Sequence, residues 1–258
     1  MIEALILGGL GFSFGVVLVY LARKFEVKVD ERLEKIVELL PGKNCGTCGF
    51  ANCEEMASAS LKDPTYLERC RVLEPDNRRK IEEILGVSLQ DISKKIAIVA
   101  CTFQTENKFK YVGVQTCAAA VLVSSGFKKC KYACLGLGDC VRVCPFDAIS
   151  ISEGDVKIDK NKCVGCGLCV QTCPKNVINL VNAGAYVFVS CSSRDDAKTV
   201  VGVCKNGCIG CGLCAKACPV GAIKIENNLA IIDYSICTGC GKCAEVCPRK
   251  VIFKLRTS

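Results

Sequence analysis

The chain has 258 residues, of which 24 are cysteine and none is histidine or tryptophan; 34 basic against 26 acidic side chains give a formal charge of +8. Without histidine there is no Ser-His-Asp or Cys-His catalysis, no mixed Cys/His zinc site and no histidine-ligated haem. So much cysteine usually marks a small secreted disulfide scaffold, but this chain is long and its cysteines are grouped too tightly to pair as bridges, which leaves all-thiolate ligation of zinc or iron–sulfur clusters.

Residues 2–22, IEALILGGLGFSFGVVLVYLA, are apolar apart from Glu3, and about 20 such residues suffice for a helix to cross the hydrocarbon core. A transmembrane helix over 1–24 is therefore expected. Arg23 and Lys24 follow directly, with no small-residue cleavage site as in a signal peptide. The positive flank predicts a single-pass protein of the inner or cytoplasmic membrane, with all later domains on the reducing cytoplasmic side. Ala4, Gly8, Gly11 and Gly15 share one face and suit close contact with another membrane helix.

Residues 25–74 read as a small cluster domain. VDERLEKIVELL is an amphipathic helix with Asp30 as cap, ended by Pro41 and Gly42. Cys45, Cys48 and Cys53 follow in NCGTCGFANC, then a helical stretch and Cys70. Four thiolates in so short a segment can close one metal site, and spacing alone leaves zinc open. Residues 75–95 read as a charged linker or helix, either a solvated rigid spacer or a swinging arm.

The strongest signal is a repeat. C-x-x-C-x-x-C-x-x-x-C-P occurs at Cys163, Cys166, Cys169, Cys173, at Cys208, Cys211, Cys214, Cys218, and at Cys237, Cys240, Cys243, Cys247. A fourth run, Cys130, Cys134, Cys140, Cys144, keeps the ending, with its earlier gaps read as widened by LGLGD. Short β signals follow each proline: AISIS, NVINL, GAIKI and KVIFK. The expected fold is α+β: after the helix and the small helical cluster domain come two tandem modules, 96–185 and 186–258, each with a lead-in strand.

The runs resemble the bacterial [4Fe–4S] ferredoxin signature, in which the fourth cysteine ligates the other cluster of the pair. That resemblance implies four ligand sets: Cys130, Cys134, Cys140 with Cys173; Cys163, Cys166, Cys169 with Cys144; Cys208, Cys211, Cys214 with Cys247; and Cys237, Cys240, Cys243 with Cys218. With the N-terminal site this makes five clusters. Cys101, Cys117, Cys191 and Cys204 are left over, two ahead of each module. They are either ligands to a sixth cluster between the halves or buried apolar cysteines.

The membrane helix, LPGKNCGTCGFANC with Cys70, and then CKYACLGLGDCVRVCPFDAI, CVGCGLCVQTCPKNVI and CIGCGLCAKACPVGAI together resemble the B subunit of the Rnf complex. The resemblance covers essentially the whole chain. It implies an electron-transfer subunit of a membrane ferredoxin:NAD+ oxidoreductase that translocates Na+ or H+. Such a subunit accepts electrons from reduced ferredoxin and passes them to other Rnf subunits. A relay subunit of a different oxidoreductase, or an iron–sulfur carrier or redox sensor, is the alternative, since ferredoxin modules are widely reused. No G-x-G stretch opens a βαβ unit, so no nicotinamide or flavin site is expected on this chain, and no basic run suggests nucleic acid. Each oxidised four-thiolate cluster carries about −2, so five clusters take +8 to about −2 and six to about −4. Lys128, Lys129 and Lys131 are candidates to guide an acidic ferredoxin.

Overall fold

A computed structural model of the chain describes residues 2–24, 30–90 and 93–254. Helix α1 (Ile2–Lys24) is 23 residues long, and Phe12, Phe14 and residues 16–21 stand exposed on it. Among the described residues no helix is long and apolar enough to cross a membrane. Several side chains of α1 lie outside the described set. The helix is thus observed, and its expected transmembrane role is not established by the fold.

The next domain is built by capping and by one apolar side per helix. Helix α2 (Glu31–Leu39) starts where the Asp30 carboxylate accepts the Arg32 N–H at 2.9 Å. Helix α3 (Cys53–Ser60) is held by a reciprocal pair: Glu55 N–H donates to Asn52 at 2.7 Å, and Ala51 N–H donates to the Glu55 carboxylate at 2.8 Å. A 3₁₀ turn over Pro64–Arg69 leads to Cys70. Helix α4 (Pro75–Leu85) ends at Gly86 in the left-handed region, φ 67°.

The charges of α4 suggested a solvated spacer, but their 3.6-residue spacing leaves Ile81, Ile84 and Leu85 on one side. Ile81 is fully buried with Ile36, Met56 and Leu67, and Ile84 and Leu85 pack against them. Arg78 is also buried and donates to the Gln90 carbonyl. The helix therefore closes the core of the small domain.

The first module contains β1 (Lys95–Val99), α5 (Cys117–Val121), α6 (Asp139–Arg142), β2 (Ile149–Ser152), β3 (Asp155–Ile158), α7 (Leu168–Thr172) and β4 (Ile178–Asn182). The second contains β5 (Val187–Val189), α8 (Ala197–Val203), α9 (Leu213–Lys216), β6 (Ile223–Glu226), β7 (Leu229–Ile232), α10 (Lys242–Glu245) and β8 (Ile252–Lys254). The architecture repeats. β2 and β3 form an antiparallel hairpin with Ile149 opposite Ile158, as do β6 and β7 with Ile223 opposite Ile232. The lead-in strand of each module pairs antiparallel with that module's last strand, β1 with β4 and β5 with β8. The two lead-ins thus lie in separate sheets, each closing its own half. Buried Ile96, Ile98, Ile149, Val156, Ile178 and Val181 fill the first core, and Val187, Ile223, Ala230, Ile232 and Ile252 fill a smaller second one.

Candidate metal centres

Each regular run uses the same local device. The glycine two residues after the first cysteine has positive φ, and a glycine two further on caps a one-turn helix that carries the third cysteine. Gly165 (φ 68°) and Gly167 (φ 90°) lead into α7 with Cys169, Gly210 and Gly212 into α9 with Cys214, and Gly239 and Gly241 into α10 with Cys243. At Gly165 a Cβ would fall on the Lys95 carbonyl oxygen, so the loop closes against β1 only without a side chain. The third cysteine of each run is consequently buried.

These turns gather the thiols. Cys144, Cys163, Cys166 and Cys169 line one small cleft, and Cys208, Cys211, Cys214 and Cys247 line another. Cys243 faces Cys237 and Cys240, while Cys218, at the end of the neighbouring run, accepts the Ala222 N–H at 3.3 Å. In the N-terminal domain Cys70 is buried and faces Cys48 and Cys45, and Cys48 and Cys53 pack on the same core. That domain lies against the first module: Lys43 sits 5.9 Å from the centre of the Phe146 ring, and Cys166 faces Cys45.

The fourth run is arranged differently from its sequence reading. Cys134, Cys140 and Cys173 share a cleft with Cys117, and Cys130 is not on its lining. Gly136 (φ 70°) and Gly138 (φ 85°), the latter capping α6, repeat the geometry of Gly165 and Gly167. CLGLGDC therefore aligns with CVGCGLC in register: Cys134 takes the first position, Cys140 the third, and Leu137 stands at the position of the second cysteine. The run is not widened; it lacks one thiol. Cys117, at the start of α5, supplies a thiol beside that position, and the Leu137 N–H hydrogen-bonds to it. The buried Asp139 carboxylate fixes Cys117 by accepting the N–H groups of Cys117 at 3.0 Å and Ala118 at 2.9 Å, while Arg142 pairs with the same carboxylate. Glycine register in the sequence was the signal for this; spacing between cysteines hid it.

The chemistry of the sets fits iron–sulfur ligation. Burial, with neighbouring thiols adding to it, pushes Cys134 and Cys169 up to about 12 and Cys140 and Cys214 up to about 11. As free thiols they stay protonated at neutral pH, and only a metal taking the proton's place makes them thiolates. Backbone N–H groups aim at sulfur, as from Ala97 to Cys163 at 3.3 Å, which favours the anionic ligand. Among the described residues no group of three or more Cys, Asp or Glu is gathered tightly enough for a single metal ion. The thiols instead line clefts, and a cube of four irons sets its ligands farther apart than one tetrahedral zinc does.

The lysines near Cys130 are largely engaged. Lys129 pairs with Glu106 at 2.6 Å and Lys131 with Asp195 at 2.7 Å, while Lys128 lies over the Phe127 ring.

Comparison with known proteins agrees with this site chemistry. A family described as a 4Fe-4S dicluster domain matches residues 129–177 and 207–251, another of the same description matches 156–225, and an Fe-S cluster family matches 40–72. The chain is 40% identical over 234 residues, 89% of its length and 70% of the relative's, to the B subunit of the Na(+)-translocating ferredoxin:NAD(+) oxidoreductase complex of Acetobacterium woodii. It is 39% identical, over 88% of its length and 82% of the relative's, to the B subunit of the proton-translocating ferredoxin:NAD(+) oxidoreductase complex of Clostridium ljungdahlii. It is also 38% identical, over 77% of each chain, to the B subunit of the ion-translocating oxidoreductase complex of Methanosarcina acetivorans. With such identity over most of both lengths, the chain belongs to the family of B subunits of Rnf-type ion-translocating oxidoreductase complexes.

Proposed function

We propose that this chain is the electron-transfer subunit of a ferredoxin:NAD+ oxidoreductase complex, taking electrons from reduced ferredoxin and delivering them to partner subunits that reduce NAD+. The observation that carries this reading is the adjacency of the four-thiol sets. Cys45 of the N-terminal domain lies within electrostatic reach of Cys166, and Cys169 within reach of Cys140 of the next set. Bound in such sets, a [4Fe–4S] cluster supplies one reversible electron at a potential set by charge, N–H to sulfur hydrogen bonds and exposure.

The chain's own residues do the rest. Cys45, Cys48, Cys53 and Cys70 hold the site of the N-terminal domain; Cys144, Cys163, Cys166 and Cys169, with Cys117, Cys134, Cys140 and Cys173, hold those of the first module. Cys208, Cys211, Cys214 and Cys247, with Cys218, Cys237, Cys240 and Cys243, hold those of the second. Cys211 and Cys240 are exposed, whereas no metal-site cysteine of the first module is. We therefore assign electron entry from a soluble donor to the second module, and exit to the N-terminal domain. The exposed apolar side chains of α1 and the positive residues Arg23 and Lys24 at its end support a single membrane span with both modules on the cytoplasmic side. Relatives are named for both Na+ and proton translocation, and this chain's thiol sets serve either.

EPR-monitored reduction of the anaerobically purified protein by reduced ferredoxin tests the reading. Low-potential cluster signals are expected to appear on mixing; clusters that ferredoxin leaves oxidised would remove the electron-entry role. Co-isolation from membranes with flavoprotein partners is expected of the full chain, and deletion of residues 2–22 is expected to release it.

A further inference from the structure

We infer that Cys101, Cys130, Cys191 and Cys204 form a sixth four-thiolate site that bridges the two modules and takes a [4Fe–4S] cluster. The inference rests on the reading that the other five sets bind such clusters, and it follows from the corrected register of the fourth run.

Once Cys134 is the first position of its run, Cys130 lies four residues ahead of it. Cys204 lies four residues ahead of Cys208, the first position of the second module's opening run. Cys101 follows β1 by two residues, and Cys191 follows β5 by two. The four thiols are thus two pairs of equivalent positions, one pair from each module.

The fold brings those pairs together. The buried Ser190 hydroxyl lies within hydrogen-bonding reach of the Val99 and Cys101 carbonyls, at 3.2 and 3.0 Å, and the Ser192 hydroxyl donates to the Ala100 carbonyl at 3.0 Å. The ends of the two lead-in strands, and with them Cys101 and Cys191, are fastened side by side. Thr105 ties the other pair: its hydroxyl accepts the Cys130 N–H at 3.2 Å and donates to the Val203 carbonyl at 2.6 Å, next to Cys204. Arg249 holds the Cys204 carbonyl at 2.6 Å. Cys101 lies within electrostatic reach of Cys191 and Cys204, and Cys130 within reach of Cys101 and Cys204.

The donors around these sulfurs follow the same symmetry. The Cys208 N–H donates to Cys191 at 3.4 Å, and the Cys134 N–H hydrogen-bonds to Cys101. The Phe103 N–H also reaches Cys101, at 3.4 Å, from a backbone with φ 59° that a bulky side chain seldom adopts. Through those N–H groups the bridging site touches Cys134 on one side and Cys208 on the other, so it joins the nearest set of each module. All four thiols are half-buried, unlike cysteines kept only for packing. With this site every one of the 24 cysteines belongs to a set of four.

Iron analysis with Mössbauer counting on the anaerobically purified full chain tests the inference. About 24 irons per chain are expected, against about 20 without the site. Paired substitutions test its membership. Cys130→Ala with Cys191→Ala is expected to remove one cluster, about four irons, whereas Cys117→Ala with Cys191→Ala removes two, about eight. The reverse pattern, a wild-type count near 20, or zinc in the sixth site would overturn the inference. A variant that loses all its iron has lost its fold, and the wild-type count then decides. A chain with about 20 irons that ferredoxin still reduces removes the bridge and keeps the relay; six clusters that ferredoxin cannot reduce do the opposite.

Discussion

The two ferredoxin-like modules share sheet pairing, glycine turns and one-turn helices, yet they obtain one ligand by different routes. In the second module Cys208, Cys211 and Cys214 all come from one contiguous run. In the first, Leu137 occupies the middle position and Cys117 reaches in from the segment between β1 and Cys130, held by Asp139. That segment has its own small core, in which Cys117 and Ala120 pack with Phe127 and Leu135. The difference shows that a metal site is positioned by the backbone path of its loop. A thiol can move to another element so long as the glycine register persists and a second residue fixes its replacement. It also shows the cost: the first module depends on a buried carboxylate for which the second module's regular loop has no need.

The largest expected effect breaks that dependence. Asp139→Ala should lose the Cys117 set, about four irons per chain, while the second module keeps both of its own. Full iron retention would show that Asp139 does not position Cys117. A rescue sharpens the comparison further: Cys117→Ala should lose the same cluster, and adding Leu137→Cys should restore it by making the two modules alike. Iron content and the EPR spectrum read both variants, and a double variant that stays short of iron would mean that Leu137 is not the vacant ligand position.

Loop packing gives a smaller difference. Gly165→Ala places a methyl group on the Lys95 carbonyl in addition to its left-handed strain, whereas Gly212, at the helix-cap position of the second module's opening run, has open space around it. The first should cost about 3 kcal/mol and the second about 1 in denaturant unfolding; equal losses would mean that β1 gives way. Exposure separates the modules in rate: with Cys211 and Cys240 exposed, ferricyanide should bleach the second module's signals severalfold sooner than the first's. Simultaneous loss would contradict the entry side assigned above.

The smallest effect concerns the lead-in caps, a hydroxyl of Thr116 on α5 in the first module and a carboxylate of Asp196 on α8 in the second. Asp196 accepts the Thr199 hydroxyl at 2.7 Å and the Thr199 N–H at 3.0 Å, and these bonds hold its carboxyl below the usual carboxylate range. A lowered folded value contributes stability above the ordinary carboxylate pKa and loses it as pH falls through the folded one. Asp196→Ala should therefore lower the unfolding midpoint slightly at neutral pH, and the two proteins should converge as pH falls below the lowered folded value of the Asp196 carboxyl. A gap that persists in acid would assign the effect to packing.

Much of the fold was legible because its signals are local. Proline after each run, alternating apolar residues in AISIS and GAIKI, and the caps Asp30 and Asn52 each act within a few residues. The turn-and-helix geometry of the three regular cysteine runs was legible for the same reason, since it is written in their spacing. The fourth is arranged differently from its cysteine spacing because glycine position sets the register of the loop. Cys130 stood at a plausible distance, whereas Cys117 reaches its place through a tertiary contact with Asp139 that no spacing encodes. Helix α4 reads as a charged spacer because its charges outnumber the few apolar residues, Ile81 above all, that fix it to the core.

The fastening of the lead-in strands has a consequence for biogenesis. Cys101 and Cys130 come from one half of the chain and Cys191 and Cys204 from the other, with Ser190 and Ser192 tying the strand ends. Neither half presents more than two of these thiols alone, so the bridge can be loaded only after both halves have folded and docked. Cofactor insertion at that joint then acts as a checkpoint on maturation, locking together only chains whose halves have met in the right orientation.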